Sequence, residues 1–191
     1  MIVFRDIKSG IIIGCNYKVM YSFFCISKRY QKLCSTEKSP PLIIPEYLII
    51  RHPFERIVSC FYDKCRVHCQ NNFKIQESQV LFANILGLKS PFHLQSISFE
   101  TWIEKIDRMK IDPHLLPQTY NIENIVNNIK LIMMEKDLSI LGKIIDEDFS
   151  KKENSTKHPS WEFLIPKNMR KSIYNIYITD FNAFGNRYNW E

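Results

Sequence analysis

The stretch Tyr47-Leu48-Ile49-Ile50-Arg51-His52-Pro53-Phe54-Glu55-Arg56-Ile57-Val58-Ser59 changes its apolar period within a few residues, and few folds accommodate that change. Tyr47 to Ile50 is an apolar, β-branched run, the pattern of a buried strand. Pro53 has no N–H to give a ladder, yet it sits well in the first turn of a helix. Beyond it Phe54, Ile57, Val58, Phe61 and Cys65 share one helical stripe, while Glu55, Arg56, Ser59, Asp63 and Arg66 fall around the other side. The stretch reads as strand, sharp turn and helix, with a cation at the strand's carboxyl end and a hydroxyl along the helix. Open α/β sheets bind anions at such junctions. Arg51 and Ser59 are therefore candidate phosphate ligands, and Arg56 reads as a helix-surface residue.

The N-terminal part repeats the pattern. Ile2-Val3-Phe4 and Gly10-Ile11-Ile12-Ile13-Gly14 are strand material, Gly14-Cys15-Asn16 marks a turn, and Tyr17 to Cys25 has helical character. That turn can present backbone N–H groups to an anion. Residues 27–45 are basic, then rich in serine and proline, and read as a connector. Further on, 76–88 has helical spacing, and Ser98 can cap a helix whose stripe is Phe99, Trp102, Ile103 and Ile106. Asp112-Pro113-His114-Leu115-Leu116-Pro117-Gln118 must be loop. Ile122–Ile129 is a weak helix candidate, Lys130–Glu135 a short strand, Leu138–Ile145 a helix, and Lys167–Phe184 helical again. The stretch from Cys65 to Phe73 and the charged residues 146–160 read as loops. Short strands alternating with helices predict an α/β fold, a small parallel sheet flanked by helices in a single domain over 1–191.

Bulk properties narrow the function classes. With 191 residues, a mean hydropathy of -0.22 and a formal charge of +6, the chain can bury a core and suits an anionic ligand. No basic stripe with interleaved aromatics supports nucleic-acid binding. No run approaches the roughly 18 apolar residues of a membrane span, and the first residues lack a signal-peptide layout, so a cytoplasmic protein is expected. Cys60, Cys65 and Cys69 are spaced unlike a zinc site, and the six cysteines read as reduced thiols. The triplet Asn154-Ser155-Thr156 matches a glycosylation pattern but carries no weight without an export signal.

Arg51-His52-Pro53-Phe54-Glu55-Arg56-Ile57-Val58-Ser59, with Phe61, Asp63 and Lys64, resembles the 3′-phosphate-binding motif of sulfotransferases, chiefly the carbohydrate sulfotransferases of the chondroitin and HNK-1 type and their bacterial relatives. That motif runs Arg–x–Pro–Phe–x–Arg–Leu/Ile–x–Ser, and every anchor is met in register. Asp112 to Gln118 is similar to the family's Asp/Glu–x–His–x–x–Pro–Gln/Phe segment, and Tyr177, Asp180, Phe181, Phe184 and Gly185 to its C-terminal Tyr–x–x–Asp–Phe–x–x–Phe–Gly. Glu135 stands where relatives carry a strand-ending acid. The N-terminal phosphosulfate loop departs from the family: with Asn16-Tyr17-Lys18 aligned to its Asn-Trp-Lys, Cys15 takes the hydroxyl position and Ile11 the first lysine's, while Lys8 lies three residues too early.

The resemblance implies a P-loop-like three-layer fold, 3′-phosphoadenosine 5′-phosphosulfate as sulfuryl donor, a hydroxyl of a carbohydrate-type acceptor, and no metal. Arg51 and Ser59 would bind the 3′-phosphate, and Gly14, Cys15, Asn16, Tyr17 and Lys18 the 5′-phosphosulfate. Lys18 would also serve catalysis, and His114 would be the general base, with Asp112 orienting it. Glu135 is an alternative base, His52 is expected to be structural, and Tyr174, Tyr177, Phe181 and Phe184 are expected in the core. Two other readings stand beside this one: a catalytically weak or inactive relative that binds nucleotide or glycan, and a P-loop-like nucleotide kinase, which the lack of a G-x-x-x-x-G-K-[ST] sequence opposes. Eukaryotic relatives are usually Golgi membrane proteins, which makes that compartment the alternative to the cytoplasm.

Overall fold

The computed structural model describes residues 1–35, 42–67, 74–149 and 158–188. In chain order these form β1 (Ile2–Asp6), β2 (Ile12–Cys15), α1 (Tyr21–Ile26), β3 (Tyr30–Ser35), β4 (Tyr47–Ile50), α2 (Pro53–Tyr62), α3 (Glu77–Ile85), α4 (Phe99–Ile103), α5 (Ile106–Met109), β5 (Lys130–Met133), α6 (Leu138–Ile145), α7 (Trp161–Leu164), α8 (Lys167–Ile176) and α9 (Ile178–Phe184). His68, Cys69, Pro40 with Pro41, and the triplet 154–156 lie outside the described residues. The chain divides into two compact units: Met1–Pro53 with Pro117–Ser155 and Tyr177–Asn189, and Phe54–Leu116 with Thr156–Ile176 and Trp190–Glu191.

The first unit holds the sheet, ordered β3-β1-β2-β4-β5. β4 runs parallel to β2 and β5, whereas β1 is antiparallel to β2 and β3. The expected parallel sheet is thus corrected to a mixed one. The physical reason is the short connection after β1: five residues join it to β2, enough for a hairpin but too few for the crossover that parallel pairing needs. Asp6 shapes that hairpin by accepting from the backbone N–H groups of Lys8 (3.2 Å) and Ser9 (3.3 Å). Leu48, Ile49 and Ile50 are fully buried, as a central strand requires. Gly14 is packed tightly in β2: a methyl group there would come within 2.7 Å of the Met1 sulfur and 3.2 Å of Leu48. Ile2, Phe4, Ile13, Ile49 and Phe24 form the core with Leu138, Leu141 and Ile145 of α6.

Other expectations change as well. Residues 27–45 include strand β3, whose first turnings to solvent, Gln31 and Lys32, hid it; polar residues are what an edge strand exposes. The helix expected from Tyr17 starts only at Tyr21, because Lys18 and Met20 adopt left-handed backbone angles (φ 64° and 60°) and residues 17–20 form a turn.

The second unit is helical. α2 carries the predicted apolar stripe and continues, against the loop expectation, as one turn of π-helix over Asp63–Val67. Phe61 packs edge-on to Phe99 (5.1 Å between ring centres) and beside Trp102, and Phe54 edge-on to Trp161. Ser98 caps α4 as anticipated, its hydroxyl accepting from the Thr101 N–H at 3.1 Å. The single helix expected there breaks into α4 and α5 around Glu104 and Lys105. Residues 122–129, in the sheet-bearing unit, form turns and one short 3-10 segment rather than a helix.

Candidate active site

In the sheet-bearing unit Arg51 follows the last residue of β4. Its main chain no longer pairs with a strand, and the side chain of Gln118 takes over. The Arg51 N–H donates to Gln118 Oε1 (2.9 Å), and Gln118 Nε2 donates back to the Arg51 carbonyl (2.8 Å). The guanidinium then reaches the Lys18 carbonyl (Nη1 to O, 3.3 Å) and pairs with Glu135 (Nε to Oε1, 3.5 Å). Arg51 therefore lies against the 17–20 turn that follows β2. Gln118 is fully buried; its own N–H donates to Asp180 Oδ2 (2.8 Å), and its carbonyl accepts from Asn16 Nδ2 (3.2 Å). Thr119 donates to Asp180 Oδ1 through both its N–H (2.8 Å) and its hydroxyl (2.9 Å). Stretches read in the sequence as separate motifs (16–18, 51, 117–119 and 180) meet here.

The candidate loop residues are placed unequally. Gly14 and Cys15 belong to β2, and the Cys15 thiol is in the core, where burial pushes its pKa far up. Asn16 is buried, Lys18 is half-buried, and Tyr17 packs on Tyr21 with ring centres 4.6 Å apart. Lys8 lies at the other end of β2, in the hairpin, paired with Asp146. Four strand residues at about 3.3 Å each separate it from the 17–20 turn, so it does not replace the lysine missing at Ile11.

Glu135 also accepts from the His52 N–H (3.3 Å) and the Tyr188 hydroxyl (3.2 Å). Burial first, then the Glu135 charge, raises the Tyr188 pKa, so that phenol stays protonated. His52 is buried edge-on against Tyr188 and Phe181. Tyr177, Phe181 and Phe184 are buried, and Tyr174 is half-buried.

The helical unit holds the other candidates. Ser59 is buried on α2. Arg56, expected at the surface, is 1% exposed, and its guanidinium donates to the Leu116 carbonyl. His114 is half-buried and turns Nδ1 toward Asp112 Oδ1 (2.7 Å), an oxygen that also accepts the His114 N–H (2.9 Å). Ser78 Oγ lies 3.3 Å from the same ring nitrogen. Burial alone would raise the Asp112 pKa, but the hydrogen bonds and charge of His114, with a hydrogen bond from Ser78, outweigh it and hold the carboxyl below its ordinary value. The roles of Gln118, Asp180, Arg56 and Ser78 were not legible in the sequence. Gln118 and Asp180 were visible only as letters in a motif, and nothing marked Ser78.

The chain belongs to the sulfotransferase family: residues 26–189 match the family's model, described as Sulfotransferase family. The match includes Arg51, Ser59, His114, Gln118 and Asp180, and begins after Gly14–Lys18. Its mixed α/β sheet flanked by helices agrees with that membership. No curated protein and no solved structure matches the chain. Among the described residues, no helix is long and apolar enough to cross a membrane, and Cys15, Cys25, Cys34, Cys60 and Cys65 are free thiols.

Proposed function

We propose that the 191 residues act as one catalytic domain, which transfers the sulfuryl group of 3′-phosphoadenosine 5′-phosphosulfate to a hydroxyl of a carbohydrate-type acceptor. The observation that carries this reading is Arg51 at the carboxyl end of β4, its guanidinium 3.3 Å from the carbonyl of Lys18 in the turn after β2. One cation beside one turn suits a donor with phosphates at both ends. Arg51 and Ser59 bind the 3′-phosphate through charge-assisted and hydroxyl hydrogen bonds. The backbone of Asn16 and Tyr17 and the Lys18 ammonium face the 5′-phosphosulfate, while Gly14 and Cys15, whose main chains are paired in the sheet, belong to the strand that carries this turn.

His114 takes the acceptor's proton. With Nδ1 turned to the Asp112 carboxylate, Nε2 is the nitrogen that receives it, and the carboxylate stabilises the imidazolium that forms. The acceptor oxygen bonds to sulfur as the bond from sulfur to the bridging oxygen breaks, and adenosine 3′,5′-bisphosphate leaves. Lys18 stabilises the charge developing on that oxygen. A donor-binding relative with slow turnover is the second reading, favoured by the core position of Cys15, which leaves no side-chain hydroxyl at that point of the loop.

Calorimetry with adenosine 3′,5′-bisphosphate is the test. The wild-type chain should bind it, and Arg51→Ala should abolish binding; equal affinity of the two would overturn the donor assignment. Transfer of labelled sulfate to a member of a glycan panel would then separate the two readings.

A further inference from the structure

We propose that Gln118 is a positioning residue for donor recognition, holding the backbone of Arg51 so that its guanidinium meets the 3′-phosphate; this rests on the donor reading above. β4 pairs with β5 up to Ile50, where the Met134 N–H donates to the Ile50 carbonyl at 2.8 Å. One residue later the ladder is over, and an arginine main chain at that point needs another partner for both of its polar groups. A primary amide meets both needs at once, giving an acceptor to the N–H and a donor to the carbonyl. The two bonds, 2.9 and 2.8 Å, continue the ladder by one rung with a side chain in place of a strand. The partners also settle which end of the amide is oxygen, since an N–H must face Oε1 and a carbonyl Nε2.

Gln118 is itself held from two other directions. Asp180 takes its N–H and Asn16 donates to its carbonyl, so its main chain is fixed to α9 and to the turn after β2. The side chain thus transmits a rigid frame to Arg51 alone, while the main chain serves the turn. That division of labour makes a specific prediction. A substitution that removes the amide but keeps the main chain should harm recognition of the 3′-phosphate and spare recognition of the rest of the donor.

The experiment compares the affinity of the full chain for adenosine 3′,5′-bisphosphate and for adenosine 5′-monophosphate, which lacks the 3′-phosphate. In Gln118→Leu the first affinity should fall at least tenfold and the second less than threefold, so the preference for the 3′-phosphate collapses. Gln118→Glu keeps the shape and one acceptor but lacks the donor for the Arg51 carbonyl, and should lose part of the preference; it carries the same comparison if the leucine variant fails to fold. Thr119→Val removes the neighbouring hydroxyl bond to Asp180 without touching Arg51, and should lower stability with the preference intact. The inference is overturned if a folded Gln118 variant keeps the wild-type preference, or if Thr119→Val loses it equally. A wild-type chain that does not bind the bisphosphate overturns the donor reading, and this inference with it.

Discussion

At the scale of single residues the proposed proton transfer turns on how a histidine is held. A loop imidazole at neutral pH is divided between tautomers and between charged and neutral forms, and a general base needs one of these states. The 2.7 Å contact from His114 Nδ1 to Asp112 selects the tautomer with its proton on Nδ1, which makes Nε2 the proton acceptor in the proposed reaction. Ser78 lies on the same nitrogen as the carboxylate, so the three residues are not a nucleophilic serine triad, in which serine and acid occupy opposite ring nitrogens. The consequence is quantitative. General-base catalysis contributes about 10²–10⁴-fold, so His114→Ala should lower kcat for sulfate transfer by about that factor and leave the affinity for adenosine 3′,5′-bisphosphate unchanged. Asp112→Asn should lower kcat less, since an amide oxygen still accepts from Nδ1 but no longer stabilises the imidazolium by charge. Labelled-sulfate transfer assays check both, and a His114→Ala enzyme of wild-type kcat would remove the base assignment.

At the scale of elements, the caps and periods that have local causes were readable and the rest were not. Leu138–Ile145 was expected as a helix and is one, because its apolar spacing survives in isolation. Ser98 was expected as an N-cap, and it holds the Thr101 N–H. Replacing it with alanine should cost about 1 kcal/mol, seen as a lower urea midpoint with the slope unchanged; a loss well below this would mean that α4 is held by Phe99 and Trp102 packing alone. Strand β3 was missed because pairing with β1, not its own polar sequence, makes it a strand. The late start of α1 was missed because left-handed angles at Lys18 and Met20 have no glycine to announce them. The same limit applies to the site. Arg51 and His114 could be named from their motifs, whereas Arg56 and Gln118 take their roles from carbonyls distant in sequence, at Leu116 and Arg51.

At the scale of the whole molecule, the balance of charge makes the chain vulnerable to acid. It carries 26 Lys and Arg against 20 Asp and Glu, so each carboxylate protonated adds to an existing positive excess. Among the described residues, Asp6 is a carboxylate with much to lose. It is fully buried where β1 meets the hairpin, and Arg29 grips both its oxygens, Nε to Oδ1 at 2.7 Å and Nη2 to Oδ2 at 2.8 Å. The same guanidinium donates to the carbonyls of Ile145 and Asp146, closing the end of α6, and pairs with Glu147 at 2.8 Å. One ion pair therefore ties the sheet to the helix that covers its core. The bond from Arg29 is the largest cause holding the Asp6 carboxyl well below its usual 3.8. A depressed carboxyl pKa stabilises the fold fully above the unfolded value and loses that stabilisation as pH falls from about 4 toward the folded value. Asp6→Asn should cost about 3 kcal/mol at pH 7, because it leaves the mostly buried Arg29 with a neutral partner. Between pH 5 and pH 3 the wild type should lose stability more steeply than Asp6→Asn, so that the gap between them narrows with acidity. Urea unfolding across that range measures both slopes. Parallel slopes would show that the acid sensitivity belongs to the remaining carboxylates and not to the Asp6–Arg29 pair.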